Sequence, residues 1–121
     1  IKNKLDGKKL HIYGDGTQTR DLLYVEDCAN FVVQAGYSQK ANGEIINAGL
    51  GRDISINDLA ELIAGDKQNI RHVEHIHPKS EIPKLLCNYE KAKKILNWSP
   101  QVSLEEGIRK TEEWIKGTNL I

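Results

Sequence analysis

His72, His75 and His77 crowd one short stretch, with Cys87 downstream, and imidazole with thiolate is zinc-binding chemistry. His75 and His77 would share one face of a strand. Their spacing matches no structural zinc pattern, so the histidines read as an exposed or ligand-facing strand end and no metal is expected. Arg20 stands between Gly16-Thr17-Gln18-Thr19 and an apolar run, where a guanidinium could reach out from a rigid base. Its planar fork matches two phosphate oxygens at once. A surface salt bridge with Asp21 or Asp27 is the competing reading. Tyr13 is equally ambiguous, because an aromatic at a strand end either fills a core or stacks on a nucleobase.

Absences narrow the chemistry further. No glycine-rich loop links a strand to a helix, so nothing is expected to cradle a dinucleotide pyrophosphate. The Gly14 and Gly16 pair runs into polar residues and a short strand. Tyr89 and Lys93 have the spacing of a Tyr-x-x-x-Lys pair but lie on an amphipathic helix, where a solvated lysine explains them. No Ser/His/Asp or Cys/His arrangement specifies nucleophilic catalysis. Asn97-Trp98-Ser99 fits a glycosylation sequon by chance, and Lys91, Lys93 and Lys94 read as the wet face of a helix. By its chemistry alone the chain is not a complete catalyst, and no catalytic residue is assigned.

The elements that must position these residues belong to one domain, since 121 residues support a single core. Lys and Arg total 17 and so do Asp and Glu, which argues against a nucleic-acid partner or a polybasic membrane anchor. No apolar run approaches the roughly 20 residues of a membrane span. Cys28 and Cys87 lack CxxC spacing and suit a reducing cytoplasm. A chain that opens at Ile1 and holds no methionine is expected to be part of a longer protein.

Residues 1 to 5 read as the stump of a helix stopped at Asp6-Gly7, and Leu10 to Tyr13 as a strand running into the Gly14-Asp15-Gly16 turn. Leu22 to Val25 reads as a second strand, after which Asp27 offers an N-cap to a helix carrying Phe31, Val32 and Ala35 and ending at Gly36. Glu44 to Gly49 is a third strand candidate. Ser55-Ile56-Asn57-Asp58 resembles a capping box and leads into a helix with Leu59, Leu62 and Ile63 on one face. Arg71 to His77 alternates like a strand, and Asn88 caps a helix through Ala92, Ile95 and Leu96. Ser103-Leu104-Glu105-Glu106 is a full capping box, with Leu104, Ile108 and Ile115 as the apolar stripe and Gly117 as the stop. Short strands alternating with helices favour an α/β or α+β class.

The run from Ile12 through Tyr13-Gly14-Asp15-Gly16-Thr17-Gln18-Thr19-Arg20-Asp21-Leu22-Leu23-Tyr24-Val25-Glu26-Asp27 resembles the C-terminal half of the extended short-chain dehydrogenase/reductases, the NAD-dependent sugar-nucleotide epimerases and 4,6-dehydratases. Gly43-Glu44-Ile45-Ile46-Asn47-Ala48-Gly49 resembles the family's glycine-bounded strand. Ala92 to Pro100, Ser103 to Ile108 and Glu113-Trp114 resemble its C-terminal helices. The ordered likeness covers nearly the whole chain.

This resemblance implies an α/β fold: residues 1–121 would be the C-terminal, nucleotide-sugar-binding lobe of short strands and helices, without the Rossmann core. NAD and the catalytic Ser/Thr, Tyr and Lys would belong to an N-terminal domain outside this chain, so the chain alone is expected to lack catalytic activity. Its partner would be a nucleotide-diphosphate sugar. His11 and Tyr13 would lie along the base and Arg20 would bind the pyrophosphate. Asn47 matches the strand-end Asn, and Ser55 falls near a nucleotide-contacting position that its cap already explains. The family's second phosphate arginine is missing from His77-Pro78-Lys79-Ser80-Glu81-Ile82-Pro83-Lys84. His77 falls nearest it, and Lys79 or Lys84 could restore the charge, as a point rather than a fork.

Without its larger lobe the chain would leave Phe31, Val32 and Ile46 uncovered, and self-association is expected. Alternative readings are a free-standing nucleotide-sugar-binding module and a structural domain without a ligand.

Overall fold

The computed structural model describes residues 1–118. They form a mixed α/β architecture of two small sheets and five helices: α1 (Lys2–Leu5), β1 (Leu10–Tyr13), β2 (Thr19–Asp21), α2 (Val25–Tyr37), β3 (Asp53–Ser55), α3 (Ile56–Ala64), β4 (Ile70–Val73), α4 (Glu90–Leu96) and α5 (Leu104–Gly117). β1 pairs in parallel with β4, Ile12 opposite His72, and β2 pairs antiparallel with β3, Arg20 opposite Ile54. Helix α3 packs against both sheets. The β1–α3 side of the core is built on Ile12 and Ala60, both buried.

A second core forms around Trp98, which is 2% exposed. Phe31 from α2 meets its ring edge-on at 5.2 Å between centroids, and Tyr89 does so at 6.1 Å. Helix α4 ends as Asn97 takes a left-handed φ of 53°, a conformation asparagine tolerates better than most residues, and this turns the chain into Trp98. Asn97 is thus a helix terminator and Tyr89 a packing residue.

The two serine caps form as read. Ser55 Oγ accepts the Asp58 N–H at 3.0 Å and Ser103 Oγ accepts the Glu106 N–H at 3.2 Å. The reciprocal half of each box is replaced: the Asp58 carboxylate accepts the Ser55 hydroxyl, and the Glu106 carboxylate turns to Arg109. Asn88 stands one residue before the cap position of α4 and accepts the Glu90 N–H at 2.9 Å.

Four expectations are corrected. The second strand is Thr19–Asp21 rather than Leu22 to Val25, because β3 supplies a partner there and α2 already begins at Val25. Glu44 to Gly49 has no strand pairing within the described residues. The fourth strand stops at Val73, where β1 also ends. Asp27 does not cap α2. It lies inside the first turn, 6% exposed, and its Oδ2 accepts the N–H groups of Gln101 at 3.0 Å and Val102 at 2.9 Å. That carboxylate ties α2 to the loop before α5.

The N-terminal turn is tied to α5 by charge. Glu112 accepts from Lys116 at 2.8 Å and from Lys4 at 2.9 Å, and these bonds, Lys116 first, pull its pKa from 4.5 down to about 2. A depressed carboxylate stabilises the fold above its ordinary range and loses that contribution as pH falls toward its folded value. A carbon-detected NMR titration should therefore place the Glu112 midpoint near 2. Lys4→Ala should move it upward and fray α1, whereas a wild-type midpoint in the ordinary carboxylate range would refute the tie.

Candidate functional site

β1 delivers the site. Its hydrogen-bond ladder continues one step beyond Tyr13, as the Gly14 N–H donates to the Val73 carbonyl at 2.9 Å, and the chain then reverses through Gly14-Asp15-Gly16. Gly16 has φ +72°, and a Cβ there would lie 2.1 Å from Asn57 Oδ1 and 2.9 Å from Ile12, so the turn needs glycine on both counts. Asp15 Oδ1 accepts the Thr17 N–H and hydroxyl, which lowers its pKa. Asn57 at the start of α3 donates to the Asp15 carbonyl at 2.9 Å and meets His72 Nε2 at 2.9 Å.

β2 then presents Arg20. On its free edge the Thr19 N–H donates to the Pro83 carbonyl at 2.8 Å, and the Leu85 N–H donates to the Thr19 carbonyl at 3.1 Å. This pairing draws residues 81–85 alongside Arg20. Arg20 Nη1 donates to the carbonyls of Thr19 (2.7 Å) and Ile82 (2.8 Å), and Nη2 donates to Glu81 Oε1. The other carboxylate oxygen, Oε2, lies 2.7 Å from His75 Nε2. His75 Nδ1 accepts the His77 N–H at 2.9 Å, and because an ionised carboxylate only accepts, Nε2 is the donor to Glu81. The His75 bond, with Arg20 second, holds the Glu81 carboxyl below its ordinary range.

Two hollows of about 390 and 350 Å³ share Tyr13, Gln18, His75 and Glu81 in their walls. The smaller adds His11, Arg20, Ile56 and His77. The Tyr13 ring is not core: it is 46% exposed. Four of the residues singled out from sequence, His11, Tyr13, Arg20 and His77, thus meet at one hollow. The other four stand apart from both. Asn47 is exposed in the unpaired segment, and Ser55 is spent on its cap. Lys79 is exposed, and Lys84 reaches Asp53 at 3.6 Å.

The salt bridge expected as the alternative for Arg20 exists, but to Glu81 rather than to Asp21 or Asp27. Glu81 is not among the residues that the sequence points to, because the family comparison of His77 to Lys84 turns on a missing positive charge. The acid three residues before Lys84 was the available signal. Among the described residues no group of three or more His, Cys, Asp or Glu converges on a metal position, as His72 faces Asn57 and His75 faces Glu81. A larger hollow of about 750 Å³ lies between residues 22–26 and α5, walled mainly by apolar side chains such as Leu22, Leu104 and Trp114.

Residues 1–111 match the family model described as GDP-mannose 4,6 dehydratase. The UDP-glucuronate 4-epimerase of Thermodesulfobacterium geofontis is 39% identical over 120 residues, covering 96% of this chain and 36% of the relative. Pal from Bacillus thuringiensis superposes with a TM-score of 0.93 at 76% identity, over 96% of this chain and 37% of that one. The UDP-glucuronic acid 4-epimerase of Bacillus cereus, solved with UDP-glucuronic acid and NAD, superposes with a TM-score of 0.81 at 34% identity, over 96% and 38%. The chain therefore spans little more than a third of the length of these proteins. It belongs to the extended short-chain dehydrogenase/reductases that include the sugar-nucleotide epimerases and 4,6-dehydratases.

Proposed function

We propose that this chain is the nucleotide-sugar-gripping portion of an NAD-dependent sugar-nucleotide epimerase or 4,6-dehydratase. The observation that carries the reading is the meeting of an arginine fork, an exposed tyrosine ring and His11 at one hollow. Arg20 would hold the diphosphate, Tyr13 would stack on the base, and His11 and His77 would border the ligand. Binding energy from such remote groups holds a sugar in register for chemistry performed elsewhere. Asn47, Ser55, Lys79 and Lys84 are left out of this grip, because they lie away from both hollows.

The glycine turn between β1 and β2 does not form an NAD site. The Gly14-Asp15-Gly16 turn leads into β2 rather than a helix, so it offers no helix N-terminus to a pyrophosphate. In this reading the cofactor and the hydride transfer belong to the remainder of a longer protein. Residues 1–118 contain no helix long and apolar enough to cross a membrane.

Calorimetry with UDP-, dTDP-, GDP- and CDP-sugars tests the grip. One of them should bind saturably, and Arg20→Ala should weaken it roughly tenfold to a hundredfold, the range for a charge-assisted contact. Tyr13→Ala should also weaken it, by about tenfold, as expected for a lost stacking platform. Unchanged affinity in Arg20→Ala would remove Arg20 from the site, and absence of binding by all four classes would overturn the reading.

A further inference from the structure

Arg20 meets its ligand position already paired. A guanidinium has five N–H donors, and three here are committed, two to carbonyls and one to Glu81. The carboxylate cancels the arginine charge. His75 Nε2 faces the other carboxylate oxygen at 2.7 Å. A diphosphate approaching Arg20 thus meets another anion.

We propose that Glu81 is the resident counter-ion of Arg20, displaced by the ligand's diphosphate, so that this one acid sets the affinity of the site. The proposal rests on reading Arg20 as the phosphate ligand. Two features suit Glu81 to release. Its second oxygen keeps the His75 Nε2–H after Arg20 is lost, so the freed carboxylate retains a donor. The Thr19 bonds to Pro83 and Leu85 pin the main chain beside it, so the exchange needs a side-chain rotation rather than the opening of a loop. Glu81 is partly solvent-exposed, and water can solvate the oxygen that Arg20 gives up. The opposite role, in which Glu81 aims the guanidinium, predicts the opposite sign for Glu81→Gln.

The experiment uses inorganic pyrophosphate and UDP as probes of the wild type, Glu81→Gln and Arg20→Ala. Glu81→Gln should bind both about fivefold more tightly, as removal of a competing exposed ion pair implies, and Arg20→Ala should erase the gain. In the wild type, saturating pyrophosphate should move the Glu81 carboxyl carbon signal as that group loses the Arg20 guanidinium and keeps its His75 contact. Equal or weaker binding by a folded Glu81→Gln overturns the proposal. Where that variant fails to fold, a Glu81 carboxyl signal indifferent to bound pyrophosphate does the same. If UDP binds far better than pyrophosphate but Glu81→Gln gains nothing, the nucleotide reading stands and the counter-ion falls. If Glu81→Gln tightens both probes equally and UDP has no advantage, the counter-ion stands and the nucleotide reading falls.

Discussion

Asp21→Asn is expected to destabilise the protein by about 2–4 kcal/mol, while Asp27→Asn costs less than about 1 kcal/mol, although both carboxylates accept multiple backbone N–H groups. The difference lies in how the oxygens are used. Asp21 spends both: Oδ1 accepts the Leu50 N–H at 2.7 Å, and Oδ2 accepts those of Gly51 at 2.8 Å and Cys87 at 3.2 Å. An asparagine has one carbonyl oxygen, so its NH₂ must face at least one donor and leave it unpaired. Asp27 uses Oδ2 alone for Gln101 and Val102, and an amide oxygen can accept both. For a domain of this size each kcal/mol moves the melting temperature by about 4 °C. Asp21→Asn should therefore melt roughly 10 °C lower, and Asp27→Asn should melt close to the wild type, by calorimetry. Asp27→Ala, which strands two N–H groups beneath a side chain only 6% exposed, should fall with Asp21→Asn. Equal melting of the two asparagine variants would refute this division of roles.

These two carboxylates also show what was legible in the sequence. Ser55 and Ser103 announce their helices because a cap bonds to a residue three positions away, and β1 is announced by its alternation and its glycine turn. Asp27 offered the same local signal as those serines, and the local signal failed. Its donors come from residues 101 and 102, which nothing near residue 27 reveals. Arg20 is the same case in the site. The sequence places a fork beside a tyrosine, but its counter-ion is Glu81, brought close by strand-like pairing of Thr19 with residues 83–85. Glu44 to Gly49 fails in the reverse sense. Its composition reads as a strand, yet pairing belongs to two strands at once, and no described residue pairs with it. Local chemistry was therefore readable, and long-range partnership was not.

The surface of α2 carries the other large expectation. Phe31 and Ile46, expected to be uncovered, are half-buried, and Phe31 packs on Trp98. The open face lies one step around the helix. Val25 is 68% exposed, Val32 60% and Val33 57%, with Ala29 and Gly36 exposed at helical spacing between and beyond them. Tyr37 ends the helix at 90% exposed, and Ile45 follows it at 84%. For the 121-residue chain alone, we propose that a second copy covers this face. A contiguous apolar face favours association, and a net charge of zero supplies little repulsion to oppose it. Light scattering under reducing conditions, which remove any contribution from the exposed Cys28, should report a mass of at least twice 13.6 kDa at micromolar concentration. Val32→Glu with Val33→Lys should return the monomer, because association would then bury two charges against apolar surface. Those positions are already open to solvent, so the folded chain should tolerate the change with an unaltered circular dichroism spectrum. A wild-type chain that stays monomeric at a tenfold higher concentration would show that these valines are ordinary surface residues.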